Sequence, residues 1–150
     1  MRKIISSFFF IVLFASCNFS GNVSFSDEEQ EKENAEAVAA QYFMAISRSD
    51  YVRALPLFSD DFFKFTNKKE TIALFEKTAI ALGKFETYKL ADWETLRVKG
   101  TNARTEYLLV YDVKYSNFDA QEIFSMVKEG ENVKIFGYRI NSDGFRYQNQ

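Results

Sequence analysis

After Gly83 the spacing of apolar residues switches from three-and-four to two, and that switch dictates a chain whose helices come first and whose strands follow. Upstream, Ala35, Val38, Ala39, Tyr42, Phe43 and Ile46 recur along one helical face. Ser26 and Glu29 have capping-box spacing before that run, and the acidic start Asp27-Glu28-Glu29 suits the positive end of a helix. Ser49 is placed to cap a second, shorter helix carrying Tyr51, Val52, Ala54, Leu55 and Phe58, with Pro56 making its last turn irregular. A third helix is expected from Thr66 or Asn67 to Leu82, with Ile72, Phe75, Ala79 and Leu82 on one face and Gly83 as the residue that ends it.

Downstream of Gly83, Phe85, Tyr88, Leu90, Trp93, Leu96 and Val98 alternate imperfectly, which predicts a long strand over Lys84 to Lys99 with a bulge or bend near Ala91-Asp92. The next segment alternates cleanly. Thr105, Tyr107, Leu109, Tyr111, Val113 and Tyr115 share one face, and Arg104, Glu106, Leu108, Val110, Asp112 and Lys114 the other. Two further strands, Ala120 to Lys128 and Asn132 to Asn141, meet across the hairpin signal Glu129-Gly130. The predicted fold class is therefore α+β: three N-terminal helices packed on a curved four-stranded antiparallel sheet. The folded domain is expected over residues 27–141, with a loose polar tail over 142–150.

The N-terminus has a different character. Arg2 and Lys3 precede an apolar stretch from Ile4 to Phe14, then small Ala15 and Ser16, then Cys17, the only cysteine. Those are the parts of an export signal, and the stretch is well short of the roughly 20 apolar residues that span a bilayer. Phe14-Ala15-Ser16-Cys17 resembles the lipobox of bacterial lipoproteins, with Phe14 where Leu is the commoner residue. The resemblance implies a cleaved signal peptide over residues 1–16 and acyl chains on Cys17 that anchor the chain to a membrane of the cell envelope. Asn18 after the cysteine favours the outer membrane over the inner by the same analogy. A lone exported cysteine has no disulfide partner, which leaves lipidation as its one clear chemical use. Residues 17–26, rich in Ser, Asn and Gly, read as a lipidated residue and flexible tether reaching on the order of 15–18 Å.

Composition excludes much. Removing Arg2 and Lys3 takes the 19 basic residues to 17 against 21 acidic ones, with Lys68-Lys69 the longest basic run, so no nucleic-acid partner is expected. With no histidine, Ser-His-Asp and Cys-His nucleophiles, the HExxH zinc site and most transition-metal sites are ruled out. None of the six glycines builds a phosphate-cradling loop, and no cofactor is implied. The acidic run Asp27 to Glu33 lacks the alternating ligands of a calcium loop and reads as a solvated helix start. The adjacent Asp60 and Asp61 read as turn or cap residues, because consecutive side chains point apart.

The order of elements, the run Ala35 to Asp50 leading into Tyr51-Val52-Arg53-Ala54, and the closing strand Val133-Lys134-Ile135-Phe136-Gly137-Tyr138 resemble the cystatin-like cone of the nuclear-transport-factor and ketosteroid-isomerase superfamily. Among its members the chain is most similar to small exported bacterial domains of unknown function. The resemblance implies a sheet wrapped round a long helix, leaving a cone-shaped pocket that different members use for catalysis, ligand binding or dimer contact, so the fold does not fix the function. Tyr42, Phe43, Phe75, Tyr107, Leu109 and Tyr111 are the residues expected to line such a pocket. No catalytic residue is assigned. Carboxylate and tyrosine chemistry survives the exclusions, yet Asp112 alternates away from Tyr111 and Asp92 falls at the suspected bend, so the tyrosines have no evident base.

The leading expectation is a lipid-anchored, non-catalytic module that binds an envelope protein or a small apolar ligand. The alternative is a cone-fold isomerase or dehydratase. Leu108 and Val110 on the outer sheet face offer a homodimer seam as a third reading.

Overall fold

The computed structural model of the protein describes residues 25–98 and 103–149. The expected signal peptide, Cys17 and most of the expected tether lie outside the described residues. Helix α1 (Phe25–Ser47) is followed by α2 (Tyr51–Ala54), two 3-10 turns (Leu55–Leu57 and Phe62–Lys64) and α3 (Lys68–Leu82). Four strands then run β1 (Phe85–Val98), β2 (Arg104–Tyr115), β3 (Ala120–Glu129) and β4 (Asn132–Asn141), closed by a 3-10 segment, Asp143–Asn149. The sheet order is β1-β2-β3-β4, antiparallel throughout, so the fold is α+β with the helices ahead of the sheet.

Local chemistry sets the boundaries. α1 begins at Phe25, ahead of the Ser26 expected to cap it. Its face Ala35, Val38, Ala39, Tyr42 and Phe43 is buried, as the spacing predicts. Ser49 closes α1 in the left-handed region at φ 53, donating its amide to the Ile46 carbonyl at 2.9 Å. The residue that caps α2 is therefore Asp50 rather than Ser49, its carboxylate accepting from the Arg53 amide at 3.3 Å. Pro56 turns the helix into a 3-10 coil and Phe58 leaves it in extended backbone. Asn67 caps α3 by accepting from the Glu70 amide at 2.9 Å, and Gly83 ends it at φ 88.

α3 turns inward a face that holds the predicted Phe75 and Leu82, with Ile72 and Ala79 half-buried at its edges. Thr71 and Thr78 are buried beside Phe75 and Leu82, whereas Ile80 is 74% exposed. Each threonine hydroxyl donates to the carbonyl four residues back, Asn67 and Leu74, so neither brings an unpaired polar group into the core.

The strands follow the period-two reading. Ala91 is skipped in the β1–β2 pairing between Leu90↔Tyr111 and Asp92↔Val110, the predicted bulge, and a second shift lies between Phe85 and Thr87. On β2 Tyr107, Leu109, Tyr111, Val113 and Tyr115 face the helices, joined from β3 by Phe124 and Met126. Phe58 bridges in parallel to Ile135, and the Ser59 amide donates to the Ile135 carbonyl at 2.9 Å, so part of the β4 edge is covered. The segment expected to be a loose tail instead folds: Phe145 packs on the core, and Gly144 lies so close to Leu82 and Phe118 that a Cβ there would overlap both. Its composition is polar, but Phe145 on the core, Tyr147 stacked on Phe118 at 5.5 Å and Gly144 against Leu82 hold it in place.

Candidate functional site

Two polar clusters and one cleft interrupt the apolar layer between α1 and the sheet. The first cluster sits at the α1 N-terminal end. Glu31 accepts from the Tyr107 hydroxyl and, at 2.9 Å, from Lys128. Burial works to raise the Glu31 carboxyl, but the Tyr107 and Lys128 donors and the charges of Lys128 and Arg97 outweigh it and hold it below its usual range. Burial, with Glu31 beside it, pushes the Tyr107 phenol up. Tyr107 thus stands inward on β2 as expected, but it is one member of a staple joining the start of α1 to β2 and β3. Glu31 and Tyr42 are eleven residues apart on α1, about 16 Å at the helical rise.

The middle of the layer is filled with rings. Tyr42 meets Phe43, Phe75 and Phe124 edge-on at centroid distances of 5.3, 5.7 and 5.0 Å. Tyr111 meets Phe43 at 5.2 Å and Phe124 at 5.8 Å, and Leu109 is buried in the same core. Each such pair adds about 0.5–1.5 kcal/mol beyond area burial. Phe43, Leu109 and Tyr111 are buried within this ring cluster, so they are packing residues.

Of the second cluster, only Tyr42 is among the pocket residues expected from the sequence. Glu122 on β3 is fully buried, at 0% exposure. Its Oε1 accepts from the Tyr115 hydroxyl at 2.6 Å and its Oε2 from the Tyr138 hydroxyl at 2.9 Å, while Tyr42 donates to Tyr138 at 2.9 Å. Burial raises the Glu122 carboxyl above its usual value, opposed by the hydrogen bonds of Tyr115, Tyr138 and Tyr42. The three phenols are raised in turn, by burial first and then by the Glu122 charge. Glu122 shares its face of β3 with Phe124 and Met126, but Ile123 and Val127 on the other face obscure that phase in the sequence.

The cleft opens beside this cluster, between the C-terminal ends of α1 and α3 and the adjoining ends of β1 and β2. Its volume is about 520 Å³, within the range of small-molecule sites. Tyr42 and Tyr115 form part of its floor, so two of the three phenols that belong to the Glu122 network border it. Ile46, Tyr51, Phe75 and Phe85 supply apolar wall, and Arg48 and Lys84 also line it. Of the six expected pocket residues, Tyr42 and Phe75 border this cleft; Phe43, Tyr107, Leu109 and Tyr111 do not. Glu122 is not among the residues that line it either. Asp92 and Asp112, the two carboxylates weighed as bases, are exposed.

Among the described residues no three His, Cys, Asp or Glu side chains converge where a metal ion could sit, and no helix is long and apolar enough to cross a membrane. Compared with known proteins, the chain matches no family model and no curated sequence.

Proposed function

We propose that this chain is a lipid-anchored protein of the cell envelope whose domain, of the cystatin-like cone type, binds a small apolar ligand without transforming it. Anchoring rests on Phe14-Ala15-Ser16-Cys17 and the outer-membrane assignment on Asn18, all outside the described residues. The observation that carries the binding reading is the composition of the cleft: an apolar side of Ile46, Tyr51, Phe75 and Phe85, a polar rim that includes Arg48, Thr78 and Lys84, and no carboxylate among the described residues that line it. The nearest buried acid, Glu122, is sealed behind Tyr115 and Tyr138, which already occupy its oxygens. A base must reach the proton it removes, and this one is turned away from the cleft.

Titration with a neutral apolar dye such as N-phenylnaphthylamine tests the reading. Wild-type protein should give a saturable fluorescence increase, and Ala79→Trp, which fills the cleft, should abolish it while leaving the unfolding transition cooperative. Absence of saturable binding to the wild type sinks the proposal. The anchor is tested separately: mass spectrometry should find the mature N-terminus acylated at Cys17, and Cys17→Ser should release the protein from the membrane fraction.

The isomerase or dehydratase alternative draws on one observation, that Tyr42 and Tyr115 join the floor of the cleft to a buried carboxylate. It requires solvent deuterium to enter the α-carbon of a bound ketone, and the lack of such exchange would remove it.

A further inference from the structure

The charge of the cleft is one-sided. Arg48 and Lys84 are its only charged lining residues, in a chain whose formal net charge is -2. Among the described residues neither forms an ion pair, although other lysines and arginines do. Their placement has a simple partial explanation: both follow the C-termini of long helices, Arg48 after α1 and Lys84 after α3, where a cation offsets the negative end of the dipole. That explanation falls short of the charge present. Each helix end carries roughly half a negative charge, so two cations leave about one positive charge in excess at the cleft. Gly83 and Ser49, both at positive φ, line the same cleft next to these two residues in the chain.

From this geometry we infer that the ligand is an amphipathic monoanion, a single carboxylate on an aromatic or aliphatic body, held with its carboxylate at Arg48 and Lys84 and its apolar body against Phe75 and Phe85. The inference rests on the cleft being a binding site and adds the class of ligand. Arg48 offers a planar fork that matches a carboxylate, and Lys84, on the same lining, a compact charge. The opposite orientation would carry the anion towards Glu122 and set it against the oxygens of Tyr42 and Tyr115, whose protons are already given to Tyr138 and Glu122. A phosphate dianion would lose more hydration than a carboxylate on entering a cleft whose inner side is apolar, which favours the carboxylate.

Displacement of the neutral dye by naphthoate, naphthylmethanol and naphthyl phosphate tests this. The three share one ring system and differ in charge. Naphthoate should displace the dye at a concentration about threefold to tenfold lower than naphthylmethanol, the range for charge-assisted contacts at a solvent-exposed rim. Simple partitioning predicts the reverse order, because the alcohol is the more apolar compound. In the Arg48→Gln/Lys84→Gln double variant the ratio of the two displacement constants should fall to about one, and in the wild type it should narrow as salt is raised. Both side chains are exposed, so the double variant should keep a cooperative unfolding transition, its midpoint lowered only by the loss of two cations from helix C-termini. Equal displacement by acid and alcohol in the wild type overturns the inference while the dye still reports a working cleft. Persistence of the preference in the double variant, or tighter displacement by naphthyl phosphate, overturns it as well. Failure of the dye itself to bind refutes the cleft as a site, a different result from any of these.

Discussion

Tyr115→Phe removes one hydroxyl and little else. The ring is buried and packs edge-on against Phe85 at 6.0 Å, so its apolar contacts survive the change. What is lost is the donor to Glu122 Oε1 at 2.6 Å, and at 0% exposure no bulk water replaces it. Hydrogen bonds to a charged group contribute about 1.5–3 kcal/mol and those between neutral groups about 0.5–1.5 kcal/mol. The loss therefore depends on the protonation of Glu122. Burial holds its folded-state value above that of a free glutamate. Below that value both folded and unfolded chains are protonated; as pH rises, the unfolded chain releases its proton first, and the stability contributed by the protonated form is lost through the folded-state value. Urea unfolding followed by circular dichroism should then show Tyr115→Phe costing about 1.5–3 kcal/mol at a pH above that value and about 0.5–1.5 kcal/mol near pH 4. In a Glu122→Gln background the difference between the two conditions should disappear. Equal losses in acid and alkali, or a loss under about 0.5 kcal/mol in both, would refute a buried carboxylate dependent on this phenol.

Gly83→Ala should cost about 1–3 kcal/mol of unfolding free energy, since φ 88 is strained for any side chain and a Cβ there runs into Ser116; Gly130→Ala, at φ 62 but with open space around it, should cost less. Lys128→Met removes a partner of Glu31 and should cost about 0.5–1 kcal/mol at neutral pH. Because the folded Glu31 value is lowered, that contribution is present above its unfolded value and disappears as pH falls through the folded one, so the variant should match the wild type in acid. Hydrogen exchange should place the loss at the N-terminal turns of α1.

Much of the fold is legible in the spacing of a few residues. Asn67 and Gly83 bracket α3 because a side-chain cap and a positive φ leave distinct signatures, and the Ala91 bulge shows as a break in an otherwise regular alternation. Strand β2 is plain because its two faces differ in kind. Strand β3 is not: Ile123 and Val127 on one face compete with Phe124 and Met126 on the other, so its phase is ambiguous from sequence, and the inward position of Glu122 is hidden with it. The cleft is less legible still. Its lining is gathered from residues between Tyr42 and Ser116, and no local pattern announces that Arg48 and Lys84, 36 positions apart, flank one opening. Tyr107 shows the same limit, since its inward face could be read but its pairing with Glu31, 76 residues away, could not. The tail fails for a related reason: Gly144 fits against Leu82 and Phe118, and Tyr147 stacks on Phe118, partners that no local pattern names.

The Glu122 network ties together four elements that no single hydrophobic contact could align. Tyr42 comes from α1, Tyr115 from β2, Tyr138 from β4 and the carboxylate from β3. Apolar side chains tolerate small displacements, because one greasy neighbour serves nearly as well as another. A carboxylate does not. Sliding β3 by one residue would swing Glu122 to the solvent face, bring Ile123 inward and strand three phenols in a dry interior. The cluster thus sets a steep penalty on the nearest misaligned sheet, on the one strand whose own sequence leaves its alignment ambiguous.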